Sequence, residues 1–359
     1  MFEELSIPTI MGIFGLLIGM AVGAVTHRTN FCAMGAVSDI VSFGDWKRMR
    51  AWVLAMAVGI LGAQTLHLLG IVDLGKSIYL GAANFPLSGF ILGGLIFGFG
   101  MVLAGGCPGR NLMRIGNGDI KALVVMFVLS WAANLTLRGV LYYPRDFLQN
   151  LVSFEKSTLG VADMGIASFI GAFTGAAGPA LQTVVMLAVA GGMALWVFKD
   201  AGFRNSPRNI AAGVLLGLLI TASWYITGYI GADEFDPARV TSLTFIAPSA
   251  DALLYWMTFT GSTINFGVAT VSGVVLGSFI SSKLSGNFHL STFVDTPDTI
   301  RNIVGAILMG FGGIMAVGCT IGQGITGMST LALGSVIATL SIMAGGVLGV
   351  KYMERALDI

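Results

Sequence analysis

The chain has 359 residues, 55% of them apolar and only 10% charged, with a net charge of +1 and a mean hydropathy of +0.85. A soluble domain carries roughly 25% charged residues, so the composition excludes a water-soluble globule and defines an integral membrane protein. No basic cluster is dense enough to suggest nucleic acid, and three cysteines without a CxxC pair support no disulfide framework, zinc site or thioredoxin-like centre.

The opening "MFEELSIPTI" has two glutamates and no basic residue. It lacks the basic n-region of a cleaved signal peptide, so the first apolar stretch is expected to be retained. A spanning helix needs about 20 mostly apolar residues. On that rule nine spans are expected, near 8–26, 50–71, 87–104, 120–141, 179–198, 209–230, 266–284, 302–317 and 331–350. These runs are apolar on all sides, whereas barrel strands alternate apolar and polar residues. In the first span Gly15, Gly19 and Gly23 recur every four residues, the spacing that lets helices pack closely in lipid. The longest wet segment runs from Tyr142 to Asp163. The expected fold class is therefore an all-α polytopic membrane protein, one membrane-embedded transport domain over 1–359.

Four apolar pieces are too short to cross: Asn30–Val41, Met164–Pro179, Ser249–Ser262 and Gly322–Ala332. Interrupted by Gly or Pro, they read as re-entrant half-helices, which are tolerated at membrane depth only where buried in protein or lining a cavity. Interfacial helices lying flat are the plainer alternative.

One of the short pieces, Gly322–Ala332, follows the second Gly-Cys of a repeated phrase. "GFGMVLAGGCPG" (Gly98–Gly109) and "GFGGIMAVGCTIGQG" (Gly310–Gly324) both run from Gly-Phe-Gly through Ala to Gly-Cys. Aligning Cys107 with Cys319 also pairs Gly93 with Gly305, Gly98 with Gly310, Phe99 with Phe311, Gly100 with Gly312, Ala104 with Ala316 and Gly106 with Gly318. The expected spans place the two copies in opposite directions, the sign of an inverted repeat with a site near the midplane. Repeat 1 is expected over about 8–142, repeat 2 over about 209–350, and a connecting region over about 143–208.

Both Gly-Cys points look like places where one helix stops and another starts. A helix N-terminus there aims free N–H groups and a positive dipole end at the break, which favours an anion. Cys107 precedes Arg110 and Arg114, Cys319 precedes Gln323, and Cys32 follows His27, Arg28 and Asn30. A buried cysteine is often only a small hydrophobe. Two of three at repeat-related breaks point instead to a soft thiol partner for a sulfur-bearing ligand. The arginines have an alternative reading as snorkelling or topology-setting residues, and Gln323 as an interhelical hydrogen-bonding residue.

"RTNFCAMGAVSD", "GGCPGRNLMRIGNGD" and "GCTIGQGITG", in that order over nearly the whole chain, resemble the YeeE/YedE sulphur-transport family and its full-length thiosulfate-uptake members. The resemblance implies an hourglass-shaped bacterial inner-membrane protein with nine spanning and several short helices. It implies three functional cysteines, Cys32, Cys107 and Cys319, along which thiosulfate moves by transient S–H···S contacts. It implies soluble TusA-type sulfur carriers as cytoplasmic partners. Other members act on selenium or persulfide compounds.

The expected function is a permease for thiosulfate or a similar sulfur oxyanion, not an enzyme, with no cofactor and no metal site. Its pathway is Cys32, Cys107 and Cys319, supported by Gly106, Gly318, Arg110, Asn30, Gln323 and Arg28. A membrane sulfurtransferase or thiol oxidoreductase is the alternative, weakened because no lone cysteine has a clear His base in its own motif. A soft-metal transporter is weakened because the 18 methionines are scattered. The positive-inside rule would put the basic loops Asp45–Arg50 and Lys199–Arg208 both on the cytoplasmic side, with one loop facing out, or a miscounted span near Met164–Phe198, as the open alternatives.

Overall fold

A computed structural model describes residues 6–356 apart from 157–159, 162, 176, 177, 234–236 and 294. Among them the helices that build the fold are α1 (Ile7–Thr29), α2 (Ala33–Ser38), α3 (Lys47–Leu68), α4 (Leu87–Leu103), α5 (Pro108–Gly116), α6 (Ile120–Arg138) and α7 (Tyr142–Asn150). They continue with α8 (Ile166–Thr174), α9 (Pro179–Phe198), α10 (Pro207–Tyr225), α11 (Ile246–Met257), α12 (Phe266–Leu284), α13 (Thr296–Met315) and α14 (Leu333–Ala356). Each of the nine expected spans falls on a long helix. Eight segments are long and apolar enough to cross a membrane among the described residues. α13 falls short only because Asp298, Arg301 and Asn302 occupy its first turns.

The four short pieces are short helical segments: α2 with the π-helical turn Asp39–Phe43, α8, α11, and a run after Cys319 containing the π-helical stretch Gly322–Gly327. Ala176 and Ala177 of the second piece lie outside the described residues. The wet segment Tyr142–Asp163 contains α7 and a strand that the sequence did not signal. That strand, β2 (Ser153–Glu155), pairs antiparallel with β1 (Asn84–Pro86), placing Phe85 opposite Phe154.

Glycine sets how closely the long helices approach. A Cβ at Gly15 would lie 2.6 Å from the Phe266 carbonyl oxygen, and Gly19 and Gly23 press still harder on those of Thr270 and Val274. α1 and α12 therefore run parallel in near backbone contact, as small residues allow in lipid. The expected packing role of this stripe is what the helices use. α4 and α13 cross antiparallel: a Cβ at Gly93 would meet the Gly312 oxygen at 2.8 Å, and one at Gly100 the Gly305 oxygen at 2.8 Å.

The remaining long helices pair in a reciprocal pattern. α10 runs parallel to α3, with Gly213 on Ala51 and Gly217 on Ala55. α14 runs parallel to α4, with Gly345 on Leu95 and Gly349 on Val102. α6 runs parallel to α13, joined by Lys121–Asp298 at 2.7 Å near their starts and by Gly310 on Leu129 further along.

One end of the bundle is tied by polar contacts. Arg50 pairs with Asp200 at 3.2 Å and bonds the Trp196 carbonyl at 2.6 Å. Arg208 donates to the Arg28 carbonyl, and Ser42 donates to Glu354 at 2.7 Å. The loops around 45–50 and 199–208 therefore share this end, as their basic character led us to expect.

Candidate functional site: three thiols at three helix breaks

Each cysteine ends a break of the same construction. α4 closes with Gly105 at φ +69°; the Gly105 N–H bonds the Val102 oxygen at 3.1 Å and the Gly106 N–H bonds the Met101 oxygen at 2.9 Å. α13 closes identically: Val317 stands at φ +60°, its N–H bonds the Ile314 oxygen at 3.1 Å, and the Gly318 N–H bonds the Gly313 oxygen at 2.8 Å. This double bond with a left-handed residue is the Schellman stop. α1 ends at Asn30, φ +53°. In all three cases the left-handed residue lies two positions before the cysteine.

Each cysteine then caps the helix that follows. Cys32 is the N-cap of α2 and accepts the Gly35 N–H at 3.4 Å. Cys319 accepts the Gly322 N–H at 3.3 Å. Cys107 is the N-cap of α5, with Pro108 at the first helical position; the Arg110 N–H points to its sulfur without closing a capping bond. The donor is three residues on each time. Natural N-caps are Ser, Thr, Asp or Asn, so three cysteines here are a departure from local preference, the kind of departure expected at functional positions.

The three sulfurs lie inside the protein, with Cys32 beside Cys107. All are buried and unpaired by disulfide. Cys32 and Cys107 face each other, and the half-buried Arg110 guanidinium bears on Cys32. The Thr320 hydroxyl, next in sequence to Cys319, faces Cys107. Around Cys319 the backbone N–H groups of Ile321 and Phe245 and the Thr244 hydroxyl add to the Gly322 N–H. The starts of the two half-helices meet here: a Cβ on Gly109 would lie 3.2 Å from Ile321 and 3.3 Å from Phe245. Donors and thiols therefore converge with no carboxylate among these named partners.

The supporting residues divide. Gly106 lies against the Arg110 side chain, where a Cβ would be 2.8 Å from its Cδ, and Gly318 against Gln323, 3.1 Å from its Cγ. Gln323 ties the second break together: its Nε2 donates to the Ala316 oxygen at 2.6 Å and its Oε1 accepts from Ser335 at 2.6 Å. Arg28 and Asn30 are exposed at the end of α1 and do not reach the thiols. Arg114 braces the first break, pairing with Asp119 at 2.6 Å and Asn111 at 3.2 Å. Asp39 is likewise engaged, by Arg48 at 3.1 Å.

Sequence reasoning missed Asn111. Its Nδ2 donates to the Gly106 oxygen at 2.9 Å, which is the service Gln323 performs in the other copy. The signal was present: both amides stand four residues after their cysteine. It also missed Phe245 and Thr244, which no motif marks and which the chain brings in from far away.

Eight long apolar segments among the described residues define a multi-pass helical membrane protein, and similarity to known proteins places it among transporters. The family described as sulphur transport matches residues 28–348, and the chain belongs to that family. It is 28% identical to the thiosulfate transporter TsuA of Escherichia coli over 87% of this chain and 86% of that protein. It is 27% identical to the thiosulfate transporter TsuA of Spirochaeta thermophila over 92% and 96%. A shorter stretch is 30% identical to the probable transporter YedE of Escherichia coli, over 29% of this chain and 24% of that one.

Proposed function

We propose that this protein is an inner-membrane permease that imports thiosulfate, or a closely similar sulfur oxyanion, past Cys319, Cys107 and Cys32. The observation that supports the reading is the triple repetition of one device, a left-handed residue two positions before a buried cysteine at a helix start; that the three sulfurs form one path is part of the proposal. A thiol N-cap leaves an S–H free to donate to an incoming terminal sulfur, while the helix-start N–H groups and Arg110 offset the anion's charge. Each contact is weak, and there are several in series, as conduction past multiple sites requires. No bond to sulfur forms or breaks in this account. Thiosulfate as the cargo is suggested by the similar thiosulfate transporters of Escherichia coli and Spirochaeta thermophila.

We further infer two inverted repeats, about 8–142 and 209–350, joined by 143–208. The swap of α1 with α10, α3 with α12, α4 with α13 and α6 with α14 turns the α1–α12 contact into α10–α3, and α4–α14 into α13–α6. Those are the packings described above, and the antiparallel α4–α13 crossing lies on the axis. The tied end, with Lys47, Arg48, Arg50, Lys199, Arg204 and Arg208, is the cytoplasmic end by the positive-inside rule. A soluble sulfur carrier would receive the anion there.

The test uses a strain that grows only on imported thiosulfate. Cys107→Ser and Cys319→Ser retain a capping side chain and remove only the sulfur. Each is expected to abolish growth on thiosulfate at wild-type protein levels. Wild-type growth of both variants would sink the proposal.

A further inference from the structure

Most hydroxyls buried in this protein are spoken for; Thr326, for example, donates to the Leu243 oxygen at 2.6 Å. Two beside the thiol file are not. The Tyr79 hydroxyl belongs to a residue 7% exposed and has no hydrogen-bond partner. The Thr320 hydroxyl, on a residue 1% exposed, has no partner but the Cys107 thiol that it faces.

Their positions are informative. The Tyr79 Oη lies against Gly322, 3.6 Å from where a Cβ would stand there, and Gly322 is the residue whose N–H reaches Cys319. Tyr79 comes from the loop after α3, at the end of the bundle opposite the basic loops. Thr320, next in sequence to Cys319, faces Cys107. A hydroxyl that nothing in the protein holds thus stands beside Cys319, and a second lies at the neighbouring thiol.

A buried hydroxyl without a partner is destabilising relative to a satisfied one, and such groups in native proteins call for an explanation. A bound oxyanion supplies it. Burial, and then Cys319 beside it, push the Tyr79 phenol up, so it remains a donor at any physiological pH.

The geometry points to Tyr79 as a substrate-positioning residue that, with Thr320, donates to the oxygens of the anion halted at Cys319, so that the file selects for oxygen-bearing sulfur anions. This rests on the permease reading above and deepens it. The thiol recognises the sulfur end of the anion, and the two hydroxyls recognise its oxygen end.

The test is initial-rate uptake of thiosulfate into vesicles containing the full chain, with melting of the purified protein measured alongside. Tyr79→Phe deletes only an oxygen that nothing in the protein holds. It is expected to leave the melting temperature unchanged or raised, and to raise KM about tenfold, as loss of one charge-assisted hydrogen bond would. The maximal rate should change much less. Thr320→Val is expected to add a similar rise. A Tyr79→Phe protein with wild-type KM overturns the assignment while leaving the permease reading standing. A lowered melting temperature with unchanged KM overturns it in favour of a structural role. Wild-type vesicles that take up no thiosulfate overturn the permease reading, and the assignment with it.

Discussion

Gln323 illustrates how a residue's chemistry and its role separate. An amide in the middle of an apolar sequence reads equally as a substrate ligand or as a bracket. The side chain spends its donor on the Ala316 carbonyl and its acceptor on Ser335, closing the break that presents Cys319. Gln323→Leu leaves both of those groups buried and unpaired, at about 1–3 kcal/mol each. The expected result is a clear loss of thermal stability in detergent. Cys319→Ser in the same protein should melt at or above the wild-type temperature, because serine is a good cap. If the two variants melt alike, the bracket role is wrong. Val317 is a contrasting case. A β-branched residue at φ +60° is genuinely strained, where the matching position of the other copy has Gly105. The valine side chain packs beside Phe85, Phe90 and Met164, so that local cost is set against apolar burial.

At the scale of elements, the long helices were legible because each is a run of apolar residues of membrane length, and the four interrupted pieces were legible because they are not. The two Gly-Cys breaks could be placed to within a residue from that dipeptide alone. What could not be read was which partner each break would meet. Thr244 and Phe245 reach Cys319 from a segment whose sequence has neither a motif nor a period, and the β1–β2 pair consists of three residues a side, too short for alternation to register. Arg28 was drawn towards the site by its nearness to Cys32 in sequence, but the left-handed turn at Asn30 sends the chain inward and leaves Arg28 outside. The glycines make a sharper test at this scale. Gly19 faces the Thr270 backbone with no room for a methyl group, whereas Gly191 and Gly192 have nothing within 4 Å. Gly19→Ala is expected to destabilise the purified protein and reduce its yield by forcing α1 from α12. Gly191→Ala and Gly192→Ala should be neutral or stabilising by up to about 1 kcal/mol each, the helix preference of alanine over glycine. Melting curves of the three proteins decide it.

For the whole molecule, the shared end of the basic loops is the basis of the proposed orientation. With Cys32, Cys107 and Cys319 replaced by serine, a single probe cysteine can be placed at either end. Tyr143→Cys, at a residue 76% exposed near the β1–β2 end, is expected to react with a membrane-impermeant maleimide on intact cells. Phe43→Cys, at a residue 81% exposed beside the basic loop, should react only after permeabilisation. The reverse pattern would invert the proposed topology and make the thiol file an exit path.

The α4–α13 crossing also bears on how such a protein can move. Where Gly93 and Gly100 meet Gly312 and Gly305, main chain rests on main chain, and Ile96, Leu103 and Leu308 close on the glycines within 3.0 Å of an added Cβ. A contact this close resists sliding, because any shift drives a carbonyl or a side chain into the neighbouring backbone. On the proposed function, the movement that passes cargo is then expected in the short segments that leave the seam, the turns at 104–107 and 316–319 and the loop bearing Tyr79. A protein built this way would work as a stiff frame with small moving parts, its turnover set by how readily those few turns yield.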